Sequence, residues 1–489
     1  MDYLDPVKKR KHAIRLYIGY ALFAVTIAIA TVILVYLGTG YFVDRKTGEL
    51  IQNGQLFVNS DPDGATIYLN GHQERPKTAG RLVVPSGNYN VTLKRDGFRD
   101  WTATILLEGG RVQKLDYARL LPSVLAPAPV QTFATSPYAI TESADRRYVS
   151  LQFTDKPLSI YMIDLTKPDS PPKEVIIPDD LLTNTKGQLV ISEWSDDNKH
   201  FLVKNVVDGT PIEYLMVNRE TPAKTVNVSK QLGLSAVELS LRDLAYDQYY
   251  VYDAALKTLG TVALDSKPLV PKLTGVVAYK TYDSDNILYV TADGASVKTK
   301  MQVRLSTGDK TYLMREVTQS PTYLLDMSKV GSSQVIAIGV PSENKITILR
   351  NPISYLHANP KQTLPLPITV LQVTAPTEVS FSTDGSVVMA RGAQNFAAHN
   401  FEEDHTVRYE LNKPITAYPL QWIDGKHLVA VSAGYSYMFD YDGANVQQLL
   451  PSIEGLGVLF DNSYQSVYGF TAGADGKPFN VNRASLLVN

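Results

Sequence analysis

Two imidazoles and three carboxylates fall within seven residues at His399-Asn400-Phe401-Glu402-Glu403-Asp404-His405, the one local cluster of such groups in the chain. A set of that kind could hold a divalent ion, with water completing the shell. Its spacing matches no defined ligand motif, so the plainer reading is the solvated tip of an elongated loop. The other histidines, His12, His72, His200, His357 and His427, are scattered, and His200 and His427 occupy the same place in two repeats. Aspartate-rich turns such as Asp440-Tyr441-Asp442-Gly443 invite a calcium reading but lack the third ligand and the position-12 Glu of an EF-hand loop. Asp-Gly occurs eight times, as tight hairpin turns require. Gly434-Tyr435-Ser436-Tyr437-Met438 falls short of a nucleophile elbow because the second glycine is missing. No phosphate-cradling Gly-rich loop is present. With no cysteine in 489 residues, disulfides, Cys-ligated metal and thiol nucleophiles are excluded. No residue is therefore given a catalytic, cofactor-binding or metal-binding role, and no cofactor is expected.

What positions these residues is a chain of parts. Residues 1–15 carry Lys8, Lys9, Arg10, Lys11 and Arg15 against Asp2 and Asp5, a net +3. From Leu16 to Val43 there is no charge, and the 22 residues Leu16–Leu37 would make ~33 Å of helix, enough to span a bilayer. Tyr17, Tyr20, Tyr36 and Tyr41 suit its two interfaces. The basic flank puts the N-terminus in the cytoplasm and everything after residue 44 outside. Ala28-Ile29-Ala30 looks like a signal-peptide cleavage site, but the apolar run continues past it, so an uncleaved anchor over residues 16–38 is expected. A formal charge of -2 disfavours a nucleic-acid partner.

After a juxtamembrane linker at 39–53, residues 54–121 read as six short strands separated by Asp63-Gly64, Asn70-Gly71, Ser86-Gly87, Asp96-Gly97 and Gly109-Gly110. That implies a small antiparallel β-sandwich. Pro62-Asp63-Gly64-Ala65, Ile67-Tyr68-Leu69-Asn70-Gly71, Pro85-Ser86-Gly87-Asn88-Tyr89 and Gly97-Phe98 before Trp101 resemble a PEGA domain, with Asp63 in place of the motif's Glu. The resemblance implies a spacer or interaction module of bacterial or archaeal envelope proteins, with Tyr68, Tyr89 and Trp101 packing its core.

A Pro-rich linker at 122–130 marks a boundary. Beyond it, a hairpin with an Asp in its turn recurs at Asp145, Asp197, Asp285, Asp384, Asp424 and Asp461, at spacings of 52, 88, 99, 40 and 37. The two long gaps each leave room for a degenerate copy, near Leu241-Arg242-Asp243 and Lys329-Val330-Gly331-Ser332. A period of 40–50 with four strands per unit predicts a seven- or eight-bladed β-propeller over residues 131–489. Leu459–Val488 offers only about three strands, so Val130–Phe133 is expected to complete the last sheet. The turns are similar to those of TolB-like and WD40-like propellers, which implies an interaction platform and no catalytic residue.

The fold class expected is all-β after one transmembrane helix. The function expected is a membrane-anchored, extracytoplasmic, non-catalytic recognition or scaffold surface. Its partners would be the lipid bilayer, through residues 16–38, and an envelope protein or polysaccharide met by Asn351–Ile368 and the His399 loop. The alternative is an envelope hydrolase or lyase using two channel carboxylates about 5–10 Å apart.

Overall fold

The computed structural model of the chain describes residues 6–38, 41–43, 50–266, 268–283, 285–412, 415, 420–453, 455–472 and 478–488. It divides into two compact units, one within Met1–Val124 and one within Leu125–Leu487.

The first unit begins with helix α1, Pro6–Gly38, so the basic N-terminal stretch is helical from Pro6 onward. Proline suits that first position because its missing N–H would have had no partner there. The described side chains between Arg10 and Tyr36 are all exposed, so no described residue covers this apolar rod. A helix apolar all round needs either a protein core or lipid. Its two threonine hydroxyls are satisfied internally: Thr26 donates to the Leu22 carbonyl at 2.9 Å and Thr31 to that of Ile27 at 2.8 Å.

Strands β1 (Tyr41–Val43) and β2 (Leu50–Asp61) then pair antiparallel, Phe42 opposite Ile51. The segment expected as a linker at 39–53 is therefore partly a sheet edge, because two runs of β-favouring residues sit close enough in sequence to pair; residues 39–40 and 44–49 lie outside the described residues. Next come β3 (Thr66–Leu69), β4 (His72–Lys77), β5 (Gly80–Pro85), β6 (Gly87–Lys94), β7 (Trp101–Leu107) and β8 (Val112–Arg119). One sheet holds β1, β2, β5 and β8; the other runs β4-β3-β6-β7. The sandwich is not wholly antiparallel, since β2 and β8 run parallel with Leu56 opposite Gln113. Asn70 (φ 49°) and Gly71 (φ 81°) both take left-handed conformations in the β3–β4 turn, the geometry that makes Asn-Gly a hairpin signal. Burial along β7 alternates strictly, and Trp101, 1% exposed, meets the Tyr117 ring edge-on at 5.5 Å. Tyr89 packs against this core. Tyr68 does not: it faces away from buried Ile67 and Leu69, beneath the Lys94 ammonium, which sits 5.8 Å from the ring centroid.

The second unit is a β-propeller. Among the described residues it has eight four-stranded antiparallel sheets, numbered I to VIII here in chain order. Their first strands are Ala139–Glu142, Gln188–Trp194, Glu238–Leu241, Val276–Tyr282, Leu324–Val330, Glu378–Phe381, Gln421–Trp422 and Leu459–Phe460. First strands of successive sheets lie side by side in several joints, which makes them the inner edge of the ring. Both long gaps in the Asp spacing hold a whole sheet, III and V. Sheet VIII is closed from the other end: β9 (Ala128–Phe133) pairs with the Phe479–Ser485 strand, Phe133 opposite Phe479. The expected Pro-rich linker is accordingly shorter, because Ala128 and Pro129 already belong to this edge strand. Pro129 is tolerated there, where one side of the backbone needs no partner.

Candidate functional site at the inner strands

Each inner strand ends in a turn, and there the repeated aspartates sit. Asp197 accepts the N–H groups of Lys199 (2.8 Å) and His200 (3.0 Å), Asp424 those of Lys426 (2.9 Å) and His427 (2.8 Å), and Asp461 that of Gln465 (2.8 Å). These are Asx-type turn caps, in which a carboxylate replaces the missing backbone acceptors. In sheet IV the cap is Asp283, which takes the N–H groups of Asp285 and Asn286 at 3.2 Å; Asp285, the residue expected from the spacing, pairs instead with Arg242 of sheet III. Burial works to raise the Asp197 carboxyl, yet the His200 ring and the turn N–H donors bring it below the usual carboxylate range.

His200 and His427 are fastened to these caps, with Nδ1 2.6 Å from Asp197 and 2.8 Å from Asp424. His399 belongs to the third strand of sheet VI, not to an elongated loop. It is buried, with Nδ1 2.9 Å from the Thr406 hydroxyl, and burial holds its ring below the ordinary imidazole range. Only residues 401–404 form the turn, because the apolar run Phe396-Ala397-Ala398 continues the strand up to Asn400. Two of the three nearby acids turn elsewhere, Glu402 pairing with Lys426 at 2.8 Å and Glu403 accepting from the Tyr441 hydroxyl at 3.4 Å, and only Asp404 stays near His399, 3.8 Å from its Nε2. Among the described residues no three His, Asp or Glu side chains are grouped so as to hold a metal ion. The 351–368 insertion carries a short helix, Pro352–Ala358, with Ile353 and Leu356 packed on the core, and leaves Leu366 and Ile368 exposed.

The inner strands carry acids of a different kind. Glu193 of sheet II accepts the N–H of Leu241 in sheet III at 2.6 Å. Asp326 of sheet V accepts that of Phe381 in sheet VI at 2.9 Å and pairs with Lys280 of sheet IV at 3.1 Å. Glu378 of sheet VI meets the Leu420 N–H beside sheet VII at 3.2 Å, and its other partner is buried Arg391 at 2.7 Å. Each carboxylate thus ties one sheet's inner edge to the next, at a place where parallel neighbouring edges would otherwise leave backbone donors without acceptors. Asp326→Ala should lower stability by about 2 kcal/mol, chiefly through the buried Phe381 N–H left without an acceptor, since half-exposed Lys280 can rehydrate. Chemical denaturation reads this directly, and Lys280→Ala should cost less than half as much.

One position breaks the pattern. The last residue of the inner strand is Trp194, Leu241, Tyr282, Val330, Phe381, Trp422 or Phe460 in seven sheets, but Glu142 in sheet I. Glu142 Oε1 is buried with no hydrogen-bond partner among the described residues. Burial pushes its pKa up to about 7, against the pull of Arg146. Arg146 itself donates to the Ile423 carbonyl of sheet VII and the Tyr464 hydroxyl of sheet VIII, closing the turn side of the joint. Hydrophobic periodicity could not have singled out Glu142; superposing the eight repeats would have done so.

With this geometry in view, comparison with known proteins adds three findings. A PEGA domain model matches residues 53–120. No curated protein matches the chain. Similar solved structures include Kluyveromyces lactis Hsv2 (10% identity, 64% of this chain and 98% of that one, TM-score 0.41). The β-propeller domain of Myceliophteria thermophila Cps50 (Swd1) is another (8%, 73% and 99%, 0.40), as is the dihydro-heme d1 dehydrogenase NirN (13%, 66% and 68%, 0.42).

Proposed function

We propose that this chain, a β-propeller protein with a PEGA domain, is a bacterial envelope protein tethered by α1. In this reading its N-terminus is cytoplasmic, its β-units lie outside the membrane, and its ring recognises an envelope protein or polysaccharide without transforming it. The observation that carries the reading is the commitment of the inner-strand acids. Glu193, Asp326 and Glu378 are each bonded to a backbone N–H of the adjoining sheet, a duty that holds a ring together and leaves little freedom for proton transfer. Recognition then falls to loops, and the exposed Leu366 and Ile368 on the 351–368 insertion are a suitable contact. The His399 turn, short and internally bonded, is no longer a candidate.

One observation favours the other reading, an envelope hydrolase or lyase. A carboxyl with a pKa of about 7 suits a general acid, and Glu142 has one. Full-length protein immobilised in detergent should retain envelope material, and Leu366→Asp with Ile368→Asp should weaken that retention at least fivefold; turnover of retained glycan or peptide, abolished by Glu142→Gln, would decide for the enzyme.

The absence of cysteine makes the topology easy to test. In spheroplasts, Thr185→Cys should react with a membrane-impermeant maleimide at once, and His12→Cys only after lysis. The reverse pattern would overturn the orientation.

A further inference from the structure

The outer strands of sheet IV and the middle strands of sheet V flank a half-open cavity of about 360 Å³. That volume lies at the small end of the range for ligand sites, but the lining is almost wholly polar, which excludes a greasy occupant. Lys300, Arg315 and Lys345 line it together with Glu316 and Glu343, a net charge of 3 - 2 = +1.

The charges are unequally occupied. Glu316 takes the Ser296 N–H at 2.9 Å and its hydroxyl at 2.7 Å, and Glu343 takes the Thr318 N–H at 2.8 Å and lies 3.5 Å from Lys345. Among the described residues Lys300 makes one hydrogen bond, to the Thr318 hydroxyl at 3.3 Å. The half-buried Arg315 guanidinium makes no hydrogen bond or ion pair among the described residues. A planar fork of N–H donors held at a cavity wall with nothing to bind is matched by one chemical group above others, a bidentate oxyanion.

The two carboxylates narrow the choice. A fully deprotonated inorganic anion such as sulfate has only acceptors and would be repelled by Glu316 and Glu343, each of which keeps lone pairs free for O–H donors. A hydroxylated carboxylate satisfies both sides, with its anion on Arg315 and Lys300 and its hydroxyls on the acids. We infer that this cavity binds a polyhydroxylated carboxylate, the chemistry of an acidic sugar, a conclusion that rests on the recognition reading above and gives it a ligand class.

Calorimetric titration of the full chain in detergent micelles tests this with glucuronate, glucose and inorganic sulfate. Glucuronate is expected to bind at least tenfold more tightly than either control. Arg315→Gln should weaken it at least tenfold and Lys300→Gln about threefold. A glucuronate-containing oligosaccharide that binds at least tenfold better than the monosaccharide identifies a polymer as the source; equal affinity identifies the free sugar acid. No heat with glucuronate, sulfate binding as tightly as glucuronate, or an affinity unmoved in Arg315→Gln overturns the assignment. Envelope retention is scored separately: if it persists while glucuronate fails to bind, only this cavity's role falls.

Discussion

Glu142→Gln is expected to leave stability unchanged near pH 4.5 and to raise it by about 3 kcal/mol at pH 8. The folded carboxyl titrates at about 7 instead of 4.5, a difference of 2.5 pH units, at 1.36 kcal/mol each. Below pH 4.5 the group is protonated whether the chain is folded or not, and it carries no penalty. Between pH 4.5 and about 7 the unfolded chain releases this proton while the folded chain keeps it, so stability falls as pH rises. Above 7 the full penalty applies, because a charge then sits where seven sister sheets place an apolar or aromatic side chain. Glutamine has the same size and no titration, so it removes the slope. Urea midpoints of both proteins at pH 5 and pH 8 give the answer, and parallel pH profiles would show that Glu142 ionises freely. Glu142→Leu, which copies the sister sheets, should be at least as stabilising.

Phe479→Ala should cost about 3–5 kcal/mol, the usual toll for emptying a fully buried aromatic site. Phe479 is 0% exposed and stands at the joint between the two ends of the ring. Its ring lies 6.2 Å from Phe470 and 6.4 Å from Phe133, which in turn lies tilted 5.0 Å from Phe153 of sheet I. Removing it weakens sheet VIII and the grip on β9 together. Two readouts are expected to move in step, a lower denaturation midpoint and faster amide exchange along residues 128–133. The exposed Val83 in the sandwich provides a control, and Val83→Ala should change neither by a measurable amount.

Much of the architecture was open to sequence reasoning because its determinants are local. The turn aspartates act on N–H groups two to five residues away, so their spacing reported the sheets directly. The missing strand of sheet VIII was visible for a similar reason, as a count of strands that fell one short. The failures have physical causes as well. Strand β4, His72-Gln73-Glu74-Arg75-Pro76-Lys77, is a polar edge strand held by backbone pairing and a type of turn, with no alternation to announce it. Asp283 and Asp285 both suit a turn, and only the backbone geometry decides which one caps it. The His399 cluster looked like a loop because its charges are dense, whereas the strand beneath it is made by the small residues before it. The functional candidates were the least legible. The ties made by Glu193, Asp326 and Glu378 span 42 to 55 residues, the cavity at Arg315 needs two sheets to exist, and Glu142 is notable only in relation to seven positions elsewhere.

The closure through β9 sets an order of events during synthesis. This strand leaves the ribosome first of the ring and waits for Phe479, 346 residues later, before it can pair. At about 5–20 residues per second that wait is roughly 20–70 s. For that time the nascent ring carries two unpaired edges, so any ribosome that stops early yields a product that stays open and sticky. Only a chain carried past Phe479 can pair both of these edges and close the ring.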